Sequence, residues 1–169
     1  MRPKNQILAW INAYGAQLTS LSLVACAALS KSEFLECLHR LPLLERFRIF
    51  SLGESEALSI LSLPPDLGVG VTYEPGIVDD EVLERLTPRD EGDGECLLPR
   101  LRSLDVMYDD QYPFGRESLV RFVVSRRGKV ENRIERVWMY SPRWWSESQE
   151  MWEELERRGV DVTEFTMHI

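Results

Sequence analysis

Two histidines, three cysteines and scattered carboxylates are the residues from which this 169-residue chain could build chemistry. His39 and His168 alone would titrate near neutral pH, and neither stands in a Ser-His-Asp or Cys-His arrangement, so no catalytic triad is read. Cys26, Cys37 and Cys96 are odd in number and contain no C-x-x-C pair, which argues against a zinc site and against a disulfide framework. They fit a reducing, intracellular setting, cytoplasm or nucleus. The acidic run Asp90, Glu91, Asp93 and Glu95 lacks the spacing and closing Glu of a calcium-binding loop, and residues 89–96 read as a solvated acidic loop. Gly68-Val69-Gly70 has no third glycine opening a helix and is not a phosphate cradle. The adjacent carboxylates Asp109 and Asp110 keep a small carboxylate-dependent hydrolase as the enzymatic alternative. The leading expectation is a non-enzyme with no catalytic residue, no metal and no cofactor.

Composition narrows the partners. Lys and Arg number 20 against 28 Asp and Glu, for a formal charge of −8 and a pI near 4.9. Such a surface repels phosphate backbones and anionic lipid, so neither nucleic acid nor membrane is expected. A hydrophobic share of 44% is enough for a core, and the length fits a single domain over 1–169 on the usual prior of ~100–200 residues. Arg2 and Lys4 precede the apolar stretch Leu21–Leu29, but polar residues such as Asn12, Gln17 and Thr19 separate charge from apolar run, unlike a signal peptide. No stretch approaches the ~18 apolar residues of a spanning helix.

The elements that must position any site announce themselves as a repeat. An apolar residue, another three on and a third two further recur as Leu18, Leu21, Leu23; Leu44, Phe47, Ile49; Leu101, Leu104, Val106; Ile134, Val137, Met139; and Val162, Phe165, Met167. Their starts lie 26, 57, 33 and 28 residues apart, which predicts a degenerate unit inside the long gap, irregular over 51–76 with Leu67-Gly68-Val69-Gly70-Val71 as its strand. Between the triplets, apolar residues follow helical spacing. Residues 4–14 carry Ile7, Leu8, Trp10 and Ile11. Ser30 and Glu33 are spaced as a capping box ahead of Phe34, Leu35, Leu38 and Leu41. Asp79 and Asp80 open a short helix with Val82, Leu83 and Leu86; Leu119, Phe122 and Val123 form a stripe; Ser146 and Gln149 could cap a helix with Met151, Trp152 and Leu155 that Gly159 ends. Helix and strand in alternation require parallel strands with right-handed returns. The expected fold is α/β: a short solenoid with parallel strands on the concave face and helices on the convex face.

The segment Leu18-Thr-Ser-Leu21-Ser-Leu23-Val-Ala-Cys26 resembles the leucine-rich repeat. Three further segments resemble the divergent leucine-rich region of fungal (basidiomycete) F-box-like proteins: Leu97-Leu98-Pro99-Arg100-Leu101-Arg102-Ser103-Leu104, the Leu119–Arg127 helix ending in Ser125-Arg126-Arg127, and Leu155-Glu-Arg-Arg-Gly159-Val-Asp161-Val162. The likeness spans most of residues 15–167. It implies the substrate-recognition part of an SCF-type ubiquitin ligase. A ligase adaptor is then a partner only if an F-box lies upstream, since none is visible in these residues.

Residues between the triplet positions must face the other side of the sheet. They are Ser20 and Ser22; Arg46 and Arg48; Ser103 and Asp105; Arg136, Trp138 and Tyr140; Glu164 and Thr166. These eleven form the expected concave face for a protein or peptide ligand, with Arg and Trp as candidate anchors. Trp144 and Trp145 extend the aromatic cluster, at least one of them as a cap over the last unit.

Overall fold

The computed structural model describes residues 3–24, 29–51, 77–88, 96–108, 114–127, 133–140, 148–160 and 166–168. Helix α1 (Pro3–Tyr14) leads through a short 3-10 turn (Gly15–Gln17) into β1 (Ser20–Val24). There follow α2 (Lys31–His39), β2 (Arg46–Ser51), α3 (Asp80–Leu86), β3 (Ser103–Tyr108), α4 (Arg116–Arg127), β4 (Arg136–Tyr140), α5 (Ser148–Arg157) and β5 (Thr166–His168). The strands make one sheet, all parallel and in chain order β1-β2-β3-β4-β5. Among the described residues no helix is long and apolar enough to cross a membrane.

The triplet spacing sets the register. Leu21, Phe47, Leu104, Val137 and Met167 lie side by side across the five strands, and Leu23, Ile49, Val106 and Met139 form the next row. Phe47, Ile49, Leu104, Val106 and Val137 are buried together with Phe34, Leu38, Val82, Leu83, Phe122, Val123, Met151 and Leu155 of the helices, in one continuous apolar layer. Burying each large apolar side chain stabilises the fold by about 1.5–3 kcal/mol. One expectation needs correction: β2 pairs directly with β3 over six residues, so no strand from the intervening chain lies between them. Residues 67–71 themselves lie outside the described residues.

Local signals account for the boundaries. Ser30 and Glu33 close the expected capping box on α2, the Ser30 amide donating to Glu33 Oε2 at 2.9 Å. Asp79 caps α3 by accepting from the Val82 amide at 3.1 Å. Gly159, at φ 78°, ends α5 in a Schellman arrangement, with Val160 N–H donating to Leu155 O at 3.0 Å and Gly159 N–H to Glu156 O at 2.9 Å. Gly15 is required by a close approach, since a Cβ there would stand 2.6 Å from the Arg40 carbonyl. Pro42 and Pro99 shape the approach to two strands. Each sits in a tight turn in which Leu44 N–H reaches Leu41 O at 3.1 Å, and Leu101 N–H reaches Leu98 O at 3.0 Å, just before a strand.

Consecutive helices are joined near their N-termini. Lys31 of α2 pairs with Asp79 at 2.5 Å and with Glu81 of α3; Asp80 of α3 accepts from the Gly115 amide at 2.8 Å ahead of α4; Arg116 of α4 pairs with Glu150 of α5. Deeper, Arg126 of α4 is fully buried, stacked 5.5 Å from the Phe122 ring centroid, and donates to the carbonyls of Leu86 at 2.8 Å, Leu97 at 2.9 Å and Leu98 at 3.1 Å and to Cys96 Sγ at 3.2 Å. Its pKa is pushed below the ordinary arginine value by burial.

Two predictions follow from these joints. Arg126→Met removes the N–H donors of the Leu86 and Leu97 carbonyls inside the apolar layer at about 1–3 kcal/mol each, while Leu98 O keeps the Leu101 amide, so chemical denaturation should show a loss of at least ~2 kcal/mol, and Arg126→Lys, without the planar fork, should recover only a fraction. Unchanged stability in the methionine variant would remove Arg126 from its structural role. Hydrogen bonds from Ser118 and from the Gly115 amide hold the Asp80 carboxyl below its ordinary value, so its contribution is present above the unfolded value of about 3.9 and is lost as pH falls through the depressed folded value. The stability gap between the wild type and Asp80→Asn should therefore be constant near neutrality and shrink on acidification below about pH 4, measured by urea unfolding across pH.

Candidate functional site

The face of the sheet turned away from the apolar layer carries the expected residues in two transverse rows. Ser20, Arg46, Ser103, Arg136 and Thr166 are register partners across all five strands, and Ser22, Arg48, Asp105, Trp138 and His168 form the second row. Val24, Phe50, Met107 and Tyr140 occupy the third register row. Period-two alternation puts Ser20 and Ser22, Arg46 and Arg48, Ser103 and Asp105, and Arg136 and Trp138 on one side. Ser20, Ser22, Arg46 and Arg48 are exposed, and Trp138 is half-buried. Glu164, Asp109, Asp110, the acidic run 90–95, Trp144 and Trp145 lie outside the described residues. His168 stands in β5 as the register partner of Trp138.

Two members of the face are not surface groups. Asp105 is only 4% exposed and Ser103 9%. The cause is their neighbours on both sides. Arg48 of β2 meets Asp105 Oδ2 through Nε at 2.8 Å, and Arg136 of β4 reaches the same oxygen at 2.7 Å and Oδ1 at 3.1 Å. Ser103 donates its hydroxyl hydrogen to Asp105 Oδ1 at 3.2 Å and receives Arg136 Nε at 3.2 Å. One carboxylate on the middle strand thus clamps guanidinium groups from both flanking strands. The arginines keep 47% and 39% of their side-chain surface exposed, so each pair taken alone is a solvent-screened interaction of modest worth.

Arg46 differs from both. It is exposed and has no side-chain partner among the described residues. It opens on a depression of about 410 Å³ floored by Arg46, Arg48, Ser103 and Arg136 and rimmed by Glu45, Arg102 and Glu135. The rim residues were not among the sequence candidates. They stand one position ahead of Arg46, Ser103 and Arg136, and that common offset was the available signal. Their backbone geometry repeats. The amides of Glu45 and Arg46 both donate to Thr19 O, those of Arg102 and Ser103 to Glu45 O, and those of Glu135 and Arg136 to Arg102 O, at 2.8–3.1 Å. Three consecutive strands therefore begin in the same way, which fixes the side-chain rows to one another. Across the rim, Arg102 pairs with Glu135 at 3.1 Å.

The cysteines show no comparable site. Cys37 and Cys96 are free thiols, burial raises the pKa of the Cys37 thiol, and Cys26 lies outside the described residues. Among the described residues no group of three or more His, Cys, Asp or Glu is placed to hold a metal ion. Comparison with family models, with curated proteins and with solved structures finds no match to this chain.

The clamp makes a measurable prediction. Arg48→Met or Arg136→Met alone leaves the other arginine on Asp105 and should cost about 1 kcal/mol or less. The double variant leaves a 4%-exposed carboxylate with Ser103, and its destabilisation in denaturant unfolding should exceed the sum of the singles by about 1 kcal/mol. Strict additivity would show that the two arginines do not share the charge.

Proposed function

We propose that this chain is a non-enzymatic protein-interaction module, a short solenoid of leucine-rich-repeat type that receives a protein or peptide on the sheet face bearing Ser20, Ser22, Arg46, Arg48 and Trp138. The observation that carries the reading is the pairing of a repeated scaffold with an open face. Five parallel strands follow chain order, the apolar rows are in register from strand to strand, and three strand starts share one hydrogen-bond pattern. Nearest-neighbour stacking of that kind is how repeat proteins generate extended binding surfaces. On the opposite side of the sheet from the core, exposed guanidinium and hydroxyl groups stand beside a half-buried indole, a combination suited to an interface anchor with a polar surround.

Selection from a library of displayed random peptides tests this directly. Peptides enriched on the wild-type chain should fail to bind a Ser22→Glu, Trp138→Ala variant that keeps the wild-type circular dichroism and melting profile. Enriched peptides that bind both proteins equally, or a selection that enriches nothing, would overturn the assignment of the face.

A further inference from the structure

We propose that the occupant of this face is an extended peptide segment rich in Asp and Glu, held by the guanidinium row centred on Arg46. The inference rests on the interaction-face reading and adds the chemical class of the partner. Its ground is charge complementarity at a defined place. The two polar rows bring three arginines together against one aspartate, in a chain whose formal charge is −8. The single carboxylate is fully used by Arg48 and Arg136, and Arg46 has none among the described residues.

The same geometry distinguishes an acidic segment from one compact oxyanion. Arg48 and Arg136 already converge, and Asp105 occupies the point of convergence. A phosphate placed there would meet a buried negative charge at contact distance. The cationic groups left to a ligand are therefore spread: Arg46 on β2, and the outward edges of Arg48 and of Arg136, which stands two strands from Arg46, about 10 Å at ~4.8 Å per strand spacing. Separated carboxylates along an extended chain match that spread. Ser20 and Thr166 are register partners in the row of Arg46 and Arg136, and Ser20, like Arg46, is exposed. Glu45, which has no side-chain partner among the described residues, repels the same ligand at the rim, where Glu135 is paired with Arg102.

The test is fluorescence anisotropy of labelled octaglutamate, octaglutamine and a glutamine-rich peptide bearing one phosphothreonine. Octaglutamate should bind the full chain at least ~10-fold more tightly than octaglutamine at low salt, and more weakly as ionic strength shortens the Debye length to ~8 Å. Arg46→Glu should reduce that affinity at least ~10-fold, Arg46→Gln by less and Arg46→Lys by least, while Arg85→Glu on the exposed side of α3 changes nothing. Arg46 is exposed and has no side-chain partner among the described residues, so these variants should fold, which matching melting profiles would verify. Equal affinity in wild type and Arg46→Glu overturns the proposal, as does tighter binding of the phosphothreonine peptide, which would assign the row to phosphate. If neutral or basic peptides are selected from the random library and depend on Trp138 and Ser22, the acidic partner is refuted and the interaction face stands. If no peptide depends on the face, both readings fall.

Discussion

A buried positive charge that no carboxylate among the described residues faces is the constraint on which this architecture turns. Arg126 sits in the apolar layer, and its guanidinium is satisfied by backbone carbonyls at the end of α3 and in the segment that leads to β3. A planar fork of N–H donors suits that task and an ammonium does not. The segment it holds is conformationally costly: Leu98 has φ 51°, a left-handed value that a branched side chain seldom adopts. That strain is offset by the bond from Arg126 to the Leu98 carbonyl and by the Pro99 turn that follows. The turn delivers Leu101 to the core and sets where β3 begins.

From there the consequence crosses the sheet. β3 is the middle strand, and fixing its start fixes which of its residues point outward. Asp105 lands between Arg48 and Arg136 only in that register; a slip of one residue would turn it into the apolar layer and bring Leu104 to solvent. The interior arginine and the exterior clamp are thus coupled through the backbone of one strand, without touching. Both act between consecutive units, as do the helix joints of Lys31 with Asp79, Asp80 with Gly115, and Arg116 with Glu150. Damage at β3 reaches both halves of the sheet because β3 is the strand that joins them.

Much of this is legible in the amino-acid sequence. A strand must alternate and a parallel neighbour must match it, so the recurring apolar spacing gave the rows Leu21, Phe47, Leu104, Val137 and Met167 directly. Ser30 with Glu33, Asp79 and Gly159 marked helix ends because each solves the problem of unpaired backbone groups. The direct pairing of β2 with β3 was not legible, since a long interval in sequence looks like a missing unit and sheet adjacency is decided by hydrogen bonds made far along the chain. Nor was the burial of Asp105, because alternation assigns a residue to a face and says nothing about which side chains from neighbouring strands will close over it. The interior place of Arg126 has a sign in the sequence. Arg126 follows Leu119, Phe122 and Val123 at helical spacing, so an arginine at that position occupies the apolar stripe and must find acceptors there.

The electrostatics of the outer face follow from that arrangement rather than from overall composition. An acidic chain would be expected to turn a negative surface everywhere, yet on the sheet one carboxylate is enclosed by two guanidinium groups while a third, Arg46, is left facing solvent. Local potential depends on which charges are cancelled at contact distance, and beyond about 8 Å in physiological salt the remainder of the surface contributes little. Pairing within the face, far more than the count of charged residues, therefore decides its sign. The carboxylate that looks like the acidic element of the site is the group that orders its basic ones: by holding Arg48 and Arg136 in place it limits the side-chain entropy that a ligand would otherwise have to remove on binding.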